Sequence, residues 1–412
     1  MKEDIDTLMT DAKLDALLVA GPSSHNPTMV YFTGLRHMTR AYLIKKQGQS
    51  PVLFHLATER DEAAATGLQT KNRNEYDPVK LLEQAGGDHV RTAALELQRM
   101  FEEYDVSGRV GIYGKVETGQ YFAALRMLEE LAPDAEIVGE SSNNSVLARA
   151  RATKDEAEIE RIRRLGQITT SVVDDVAGFL TSHQVKDGVL VDRGGEVLTI
   201  GEVKRRINLW LAMRGADNPR GSIFAIGRDA GVPHSAGIDT DPIPVGQTIM
   251  FDIFPTEAGG GYYFDFTRTW CLGYAPDDVQ AAYQDVYDVY DSVLAAMKPD
   301  TPCREYQVMT CELFENRGHP TILTDRQTVE GYVHSLGHGV GLAVQEGPSF
   351  SQAESNQDRL LPGSVITHEP GLYYPERGFG VRLEDTILVR PDGETEILAD
   401  YPKDLVLKMP GV

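Results

Sequence analysis

The sequence predicts an α+β protein of two domains, a smaller α/β domain over residues 1–150 and a larger α+β domain over residues 151–412. Three observations lead to this prediction. The chain has 412 residues, which is long for one domain and enough for two that each bury a core. Strand-like and helix-like patterns alternate in the first third. A long helical pattern of different character follows a polar break at residues 143–145.

In the first domain, apolar and β-branched runs predict strands, and apolar residues at helical spacing predict a helix. The predicted strands cover residues 14–19, 29–32, 42–44 and 52–56, and the predicted helix covers residues 118–131. This mixture of short strands and helix is typical of a small α/β domain.

The second domain opens with a capping-box pattern from Thr153 to Glu156, which precedes apolar residues at helical spacing up to Phe179. A second capping-box pattern at residues 199–202 opens another predicted helix. The further helices are predicted over residues 201–214, 277–297 and 305–317, and strands over residues 248–254, 264–271, 365–369 and 381–389. Helices and strands in this order indicate an α+β domain.

Composition narrows the function classes. The formal net charge of −22 argues against a nucleic-acid partner, because phosphate-binding surfaces need clustered Lys and Arg. The apolar run over residues 14–21 is interrupted by Asp15 and is too short to cross a bilayer, so no membrane partner is expected. Residues 1–6 are too acidic for a signal peptide. Three cysteines without metal-ligand spacing complete the prediction of a reduced, cytoplasmic protein.

Four acids and a histidine lie in apolar or glycine-rich surroundings that predict strands. Alone, each has an ordinary interpretation: an acid pairs with an arginine or faces solvent, and a histidine is structural. As a set they call for nearby cations, because burying unpaired carboxylates is costly. The glycines at residues 259–261 suit a hairpin turn that brings the first two acids together. The five residues are Asp252, Asp265, His338, Glu369 and Glu384.

The motifs around these residues resemble those of the pita-bread metallopeptidases, and within that family those of the Xaa-Pro branch, prolidase and aminopeptidase P. The resemblance covers about residues 153–412, and the region before it is similar to the smaller creatinase-like domain of those enzymes. The matching motifs, in chain order, are Phe251-Asp252, Phe264-Asp265-Phe266-Thr267-Arg268-Thr269, His334-x-x-Gly337-His338-Gly339-x-Gly341-Leu342, Glu369-Pro370-Gly371 and Arg382-Leu383-Glu384-Asp385.

The resemblance implies that the five residues hold two divalent metal ions. Their oxygen-rich ligand set suits Mn²⁺ better than copper, with Co²⁺ or Zn²⁺ as alternatives. It also implies catalytic roles for two histidines, His234 and His334. We expect Glu369 to act as general base, His334 to donate to the oxyanion, His234 to orient the substrate, and Arg382 to reach the substrate carboxylate or support the site.

Two departures from the family pattern matter. Asp265 follows Asp252 by thirteen positions instead of the usual eleven, which a longer hairpin turn explains. Gln345 stands where the family has a histidine that helps to hold the substrate, which affects specificity and rate but not the metal ligands.

The resemblance implies hydrolysis of peptides with proline in the second position. A dipeptide presents a free carboxylate beyond the proline, which a fixed cation would recognise. Arg36 and Arg40, in a basic stretch of an acidic chain, are candidates for that cation, and solvated surface charge is the alternative. We therefore expect a prolidase working as a homodimer. The alternatives are an aminopeptidase P acting on longer peptides and a catalytically inactive peptide-binding module, which the complete ligand set disfavours.

Overall fold

The computed structural model describes residues 4–141 and 145–410. Residues 1–3 of the acidic N-terminus, and Asn143 and Asn144 of the predicted polar break, lie outside the described residues. The chain divides into two compact units, one of Met1–Arg151 with Gly259–Gly261 and one of Ala152–Ala258 with Tyr262–Val412. Among the described helices, none combines the length and apolar character that crossing a bilayer would require.

The first unit is a six-stranded sheet covered by helices. Its strands are β1 (Ala16–Gly21), β2 (Ala41–Lys46), β3 (Val52–His55), β4 (Gln69–Asn72), β5 (Gly108–Gly114) and β6 (Ala135–Val138). Its helices are α1 (Ile5–Ala12), α2 (Pro27–Thr33), α3 (Arg60–Ala64), α4 (Pro78–Gln84), α5 (His89–Glu103), α6 (Thr118–Leu131) and α7 (Val146–Ala152), the last ending at the boundary between the units.

The strand order is β4-β3-β2-β1-β5-β6, with β1 antiparallel to β2 and parallel to β5. Successive residues of β1 enter different apolar clusters: Leu17 and Val19 pack with α1 and α2, and Ala16 and Leu18 pack with α5 and α6. Both faces of β1 are therefore buried, which explains its continuous apolar sequence.

The strand predicted over residues 29–32 is wrong, because this segment is part of α2. Asn26 caps the helix by accepting a hydrogen bond from the Met29 N–H, and Pro27 occupies the first helical position. Proline is well suited to that position because its N–H would be unpaired there in any case. The apolar run at residues 29–32 is too short to show whether its spacing is helical or strand-like. The helix start signal of Asn26 and Pro27 therefore determines that it is helical.

The second unit mixes long helices with short sheets. Its helices are α8 (Glu156–Thr181), α9 (Ile200–Met213), α10 (Asp277–Ala296) and α11 (Cys303–Glu315). Its strands are β7 (Gln184–Lys186), β8 (Val189–Val191), β9 (Ala216–Asp217), β10 (Ile223–Ile226), β11 (Thr248–Ile253), β12 (Thr256–Glu257), β13 (Phe266–Leu272), β14 (His338–Gly339), β15 (Glu346–Ser349), β16 (Val365–His368), β17 (Gly371–Tyr374), β18 (Phe379–Arg382), β19 (Asp385–Val389), β20 (Thr395–Ile397) and β21 (Val406–Leu407).

Two of the sheets in this unit carry or adjoin the five predicted ligands. One has the order β10-β11-β13-β21, and the other has the order β15-β14-β16-β19-β20. The predicted strand over residues 381–389 is two strands, β18 and β19, which belong to different sheets. The chain changes sheet at Leu383 and Glu384. Buried residues of α10 and α11 pack in one apolar cluster with residues of β16, β18 and β19.

Helix α8 begins two residues later than the sequence pattern predicts. Asp155, in extended conformation, accepts a hydrogen bond from the Glu158 N–H at 2.9 Å, and the Glu158 carboxylate accepts one from the Asp155 N–H at 2.7 Å. The capping box is thus Asp155 with Glu158 instead of Thr153 with Glu156. Both pairs have the required spacing, and aspartate caps at least as well as threonine.

We predict that Asp155→Ala lowers the free energy of unfolding by about 1 kcal/mol, because the first turn of α8 loses its cap. Thr153→Ala is the matched control and should change it by less than about 0.5 kcal/mol. Urea unfolding followed by circular dichroism measures both. A larger loss in Thr153→Ala than in Asp155→Ala would contradict the observed cap.

Candidate metal centre

Asp252 and Glu384, two of the predicted ligands, lie on adjacent backbone segments on either side of Thr267. In the antiparallel pair of β11 and β13, Asp252 lies opposite Thr267. Thr267 in turn bridges to Glu384, whose N–H lies 3.1 Å from the Thr267 carbonyl oxygen. The Thr267 hydroxyl donates to the Glu384 carboxylate. Asp265 precedes Thr267 by two positions, which is the period that returns a side chain to the same side of an extended chain.

The other sheet supplies the remaining two ligands. His368 of β16 pairs with Asp385 of β19, so that Glu369 and Glu384 occupy the next positions beyond this terminal pair. His338 opens β14, and its N–H donates to the Thr367 hydroxyl at 3.0 Å. The same hydroxyl donates to Glu369 Oε1 at 3.1 Å.

The glycines around His338 are required by close backbone contacts. A Cβ atom on Gly337 would lie 2.1 Å from the Thr367 carbonyl oxygen, and one on Gly339 would lie 1.9 Å from the Gly347 carbonyl oxygen. Both distances are far below van der Waals contact. The glycines therefore let β14 approach its neighbours and bring His338 to the acidic residues.

The predicted ligand atoms lie close together. His338 Nε2 is 3.7 Å from Asp265 Oδ2 and 3.5 Å from Glu369 Oε1. One ligand atom each of Asp265, His338 and Glu384 all lie within 4.8 Å of one another. His338 Nδ1 is 3.1 Å from the Gly339 carbonyl oxygen, to which an Nδ1–H donates. This tautomer leaves the Nε2 lone pair facing carboxylate oxygens.

The electrostatics of the cluster favour the binding of a cation. Burial, with repulsion from Asp252, raises the pKa of Glu369 to about 7. Burial and neighbouring carboxylates raise the pKa values of Asp265 and Glu384 well above the ordinary range. Burial lowers the pKa of His338 to about 4, so the ring is neutral and offers no compensating charge.

Asp252 adds a buried oxygen without a partner to this cluster. Its Oδ1 atom has no hydrogen bond within residues 4–141 and 145–410, and burial raises the pKa of its carboxyl group. The unpaired oxygen of Asp252 and the carboxylates with raised pKa values together form an oxygen-rich set of ligands. A hard divalent cation would bind to such a set and would give the unpaired oxygen a partner. These residues therefore fit the metal ions that the sequence predicts.

Arg382 holds one edge of the cluster. Its side chain is 3% exposed, and its guanidinium donates to the Asp252 carboxylate, to the Thr267 hydroxyl at 3.1 Å and to the Tyr373 hydroxyl at 2.9 Å. All three nitrogens are therefore engaged with residues of the cluster or next to it. Of the two roles expected for Arg382, these contacts correspond to support of the site.

His334 is an acceptor toward the site in this structure. Its Nδ1 lies 2.7 Å from the Ser335 carbonyl oxygen, so Nδ1–H donates there and Nε2 accepts from the Tyr373 hydroxyl at 2.8 Å. Burial and the charge of Arg382 lower the pKa of His334 to about 3. Donation from His334 to an oxyanion therefore requires the opposite tautomer, with the proton on Nε2.

The other candidate residues lie on loops. His234 is exposed and follows a short 3₁₀ turn. Gln345 is also exposed, whereas its neighbour Glu346 forms a buried ion pair with Lys154 at 2.8 Å. That ion pair anchors the chain next to Gln345.

Arg36 and Arg40 belong to the first unit, where both are exposed in the segment between α2 and β2. Their proposed contact with a substrate carboxylate stays a prediction.

Three residues that contact predicted site residues were missed at the level of sequence. Tyr373 connects Arg382 with His334, and Thr267 and Thr367 donate to Glu384 and Glu369. Both threonines lie two positions from a predicted ligand, on the same side of an extended segment, and this period could have identified them. Tyr373 carries no such signal.

The chain is similar to known peptidases. Residues 160–391, more than half of the chain, match metallopeptidase family M24. An Xaa-Pro dipeptidase of Pyrococcus furiosus is 25% identical over 397 residues, which cover 95% of this chain and 97% of that protein.

Solved structures resemble the whole chain. A prolidase of Pyrococcus horikoshii has a TM-score of 0.72 at 22% identity, covering 98% of this chain and 99% of that chain. An X-Pro aminopeptidase of Thermotoga maritima has a TM-score of 0.74 at 21% identity, covering 97% and 99%. They confirm the expected α+β fold, with a pita-bread domain preceded by a smaller α/β domain. All five predicted ligands lie within the matched segment, and the chain belongs to metallopeptidase family M24.

Proposed function

We propose that the protein is a two-metal peptidase that cleaves the Xaa-Pro bond, with dipeptides as its preferred substrates. The observation that carries the proposal is the convergence of Asp265, His338 and Glu384, with ligand atoms within 4.8 Å of one another, next to Asp252 and Glu369. The similarity to an Xaa-Pro dipeptidase over nearly the whole of both chains supports the choice of bond.

Asp252, Asp265, His338, Glu369 and Glu384 would hold the two ions, for which Mn²⁺ suits the four carboxylates and one imidazole. Divalent cations at such a site lower the pKa of bound water and polarise the scissile carbonyl group. The neutral state of His338 at physiological pH keeps Nε2 available as a ligand.

The remaining steps are assigned to this chain's own residues. We assign the role of general base to Glu369, whose carboxylate lies 3.5 Å from His338 Nε2 in the cluster. Arg382 orients the Asp252 carboxylate and the Tyr373 hydroxyl. The Tyr373 hydroxyl lies 2.8 Å from His334 Nε2, and we assign oxyanion binding to this pair, with His334 in the tautomer that carries the proton on Nε2. His234, on an exposed loop, would orient the carbonyl side of the proline.

Substrate length is decided by what lies beyond the proline. In a dipeptide this is a carboxylate, and we propose that Arg36 or Arg40 pairs with it and excludes longer chains. Gln345, beside the buried ion pair of Glu346 with Lys154, would contact the substrate through an amide instead of an imidazole. We also propose that the protein is cytoplasmic and works as a homodimer, of about twice the 45.4 kDa chain.

We predict that Asp265→Ala and Glu384→Ala each lose at least one metal ion and nearly all peptidase activity, because each removes a carboxylate of the cluster. A chelator should abolish the activity of the wild type, and Mn²⁺ or Co²⁺ should restore it. Metal content and hydrolysis of an Xaa-Pro dipeptide measure both effects. Glu376→Gln, which removes a 79% exposed carboxylate, is the control. Full activity in either alanine variant would remove the two-metal proposal.

We predict that kcat/KM is higher for Xaa-Pro than for Xaa-Pro-Xaa, and that Arg36→Ala or Arg40→Ala weakens this preference by removing the carboxylate partner. Arg60→Ala, a 75% exposed arginine of the same unit, is the control. If the wild type cleaves tripeptides as well as dipeptides, the protein is an aminopeptidase P. If dipeptides are preferred and neither substitution weakens this preference, the cation that recognises the substrate carboxylate is neither Arg36 nor Arg40.

A further inference from the structure

Gln307 is an unusual member of the buried face of α11. Its side chain has no exposed surface, and the other buried residues of this helix are Cys303, Tyr306, Thr310, Cys311 and Phe314. An amide has two donor hydrogens and an acceptor oxygen, and leaving such groups unpaired in the interior costs about 1–3 kcal/mol each. The side chain therefore needs specific partners.

Those partners belong mainly to the segment that carries His334. The Gln307 Oε1 atom accepts from the Leu336 N–H at 2.6 Å and from the Tyr332 hydroxyl at 3.2 Å. Its Nε2 atom donates to the His334 carbonyl oxygen at 3.2 Å and to Cys311 Sγ at 3.6 Å. A backbone donor and a backbone acceptor two residues apart are thus held by opposite ends of one amide, which also fixes the orientation of that amide.

The segment that carries His334 is not part of a β-ladder among the described residues. Strand β14 begins at His338, so residues 333–337 lie outside the described strands and form no ladder there. Leu336 is instead held from both sides, because its N–H meets Gln307 and its carbonyl oxygen accepts from the Glu369 N–H at 2.9 Å. A single residue therefore links the buried amide of α11 to the backbone of a predicted metal ligand.

We propose that Gln307 is a positioning residue for the peptidase reaction: its neutral amide fixes the segment from His334 to Leu336 and, through Leu336, the backbone of Glu369. The proposal rests on the proposed function. It requires an amide specifically. A carboxylate would place a charge against the His334 carbonyl oxygen, and an apolar side chain would leave the Leu336 N–H unpaired. Mutation of the groups that orient metal ligands typically costs 10–100-fold in metal affinity or activity, and Gln307 would act on Glu369 in this way through the backbone of Leu336.

Gln307→Met tests this, because methionine keeps the length of the side chain and removes its hydrogen bonds. We expect kcat to fall by about tenfold or more, with KM changed by less than about threefold, because the catalytic groups shift while the substrate pocket stays intact. Thr310→Val is the matched control. It removes a buried hydroxyl of the same helix whose hydrogen bond goes to the Tyr306 carbonyl oxygen, and it should leave kcat unchanged.

Hydrogen–deuterium exchange of a peptide containing Leu336 gives a readout that does not depend on activity. Exchange should accelerate in Gln307→Met and not in Thr310→Val. If the wild type lacks peptidase activity, the proposed function fails while this measurement still decides the positioning role. Unchanged exchange and unchanged kcat in Gln307→Met would overturn it. Should that variant not fold, Tyr332→Phe, which removes the hydroxyl donor to Oε1, must lower kcat, and an unchanged kcat would equally overturn the proposal.

Discussion

The structure depends on the crowding of four carboxylates around one neutral imidazole inside the second unit. Asp252, Asp265, Glu369 and Glu384 are each buried or nearly so, and the pKa of every one is raised. His338 cannot offset their charge because burial keeps it neutral. Such a cluster of buried carboxylates is unfavourable by itself. Divalent cations would relieve the repulsion between the carboxylates, and this relief would contribute to the free energy of metal binding.

The surrounding structure is built to hold these groups in place. Two sheets meet at Thr267 and Glu384, and the change of sheet at Leu383 brings Glu384 across from Asp252. Arg382 is the buried cation within the cluster, and its guanidinium extends the arrangement through Tyr373 to His334. The segment that carries His334 lies outside the strands of the described residues, and side chains such as Gln307 provide hydrogen bonds to its backbone.

Most of the site could be predicted from the sequence because each ligand lies in a short, ordered motif. The helix expected over residues 118–131 has the same bounds as α6, since its apolar spacing is local. The segment at residues 29–32 was predicted as a strand because four apolar residues do not distinguish two periods. Tyr373 and Gln307 could not be found from the sequence, because their contacts arise only when distant elements pack.

We expect the carboxylate cluster to hold protons when no cation is bound and to release them when one binds. Calorimetric titration of the metal-free protein with Mn²⁺ at pH 7, in buffers of different protonation enthalpy, counts the protons released. The raised pKa values predict release of roughly one proton or more per chain, all from carboxyl groups, since His338 is already neutral. Binding of Mn²⁺ without proton release, or no binding at all, would contradict this account.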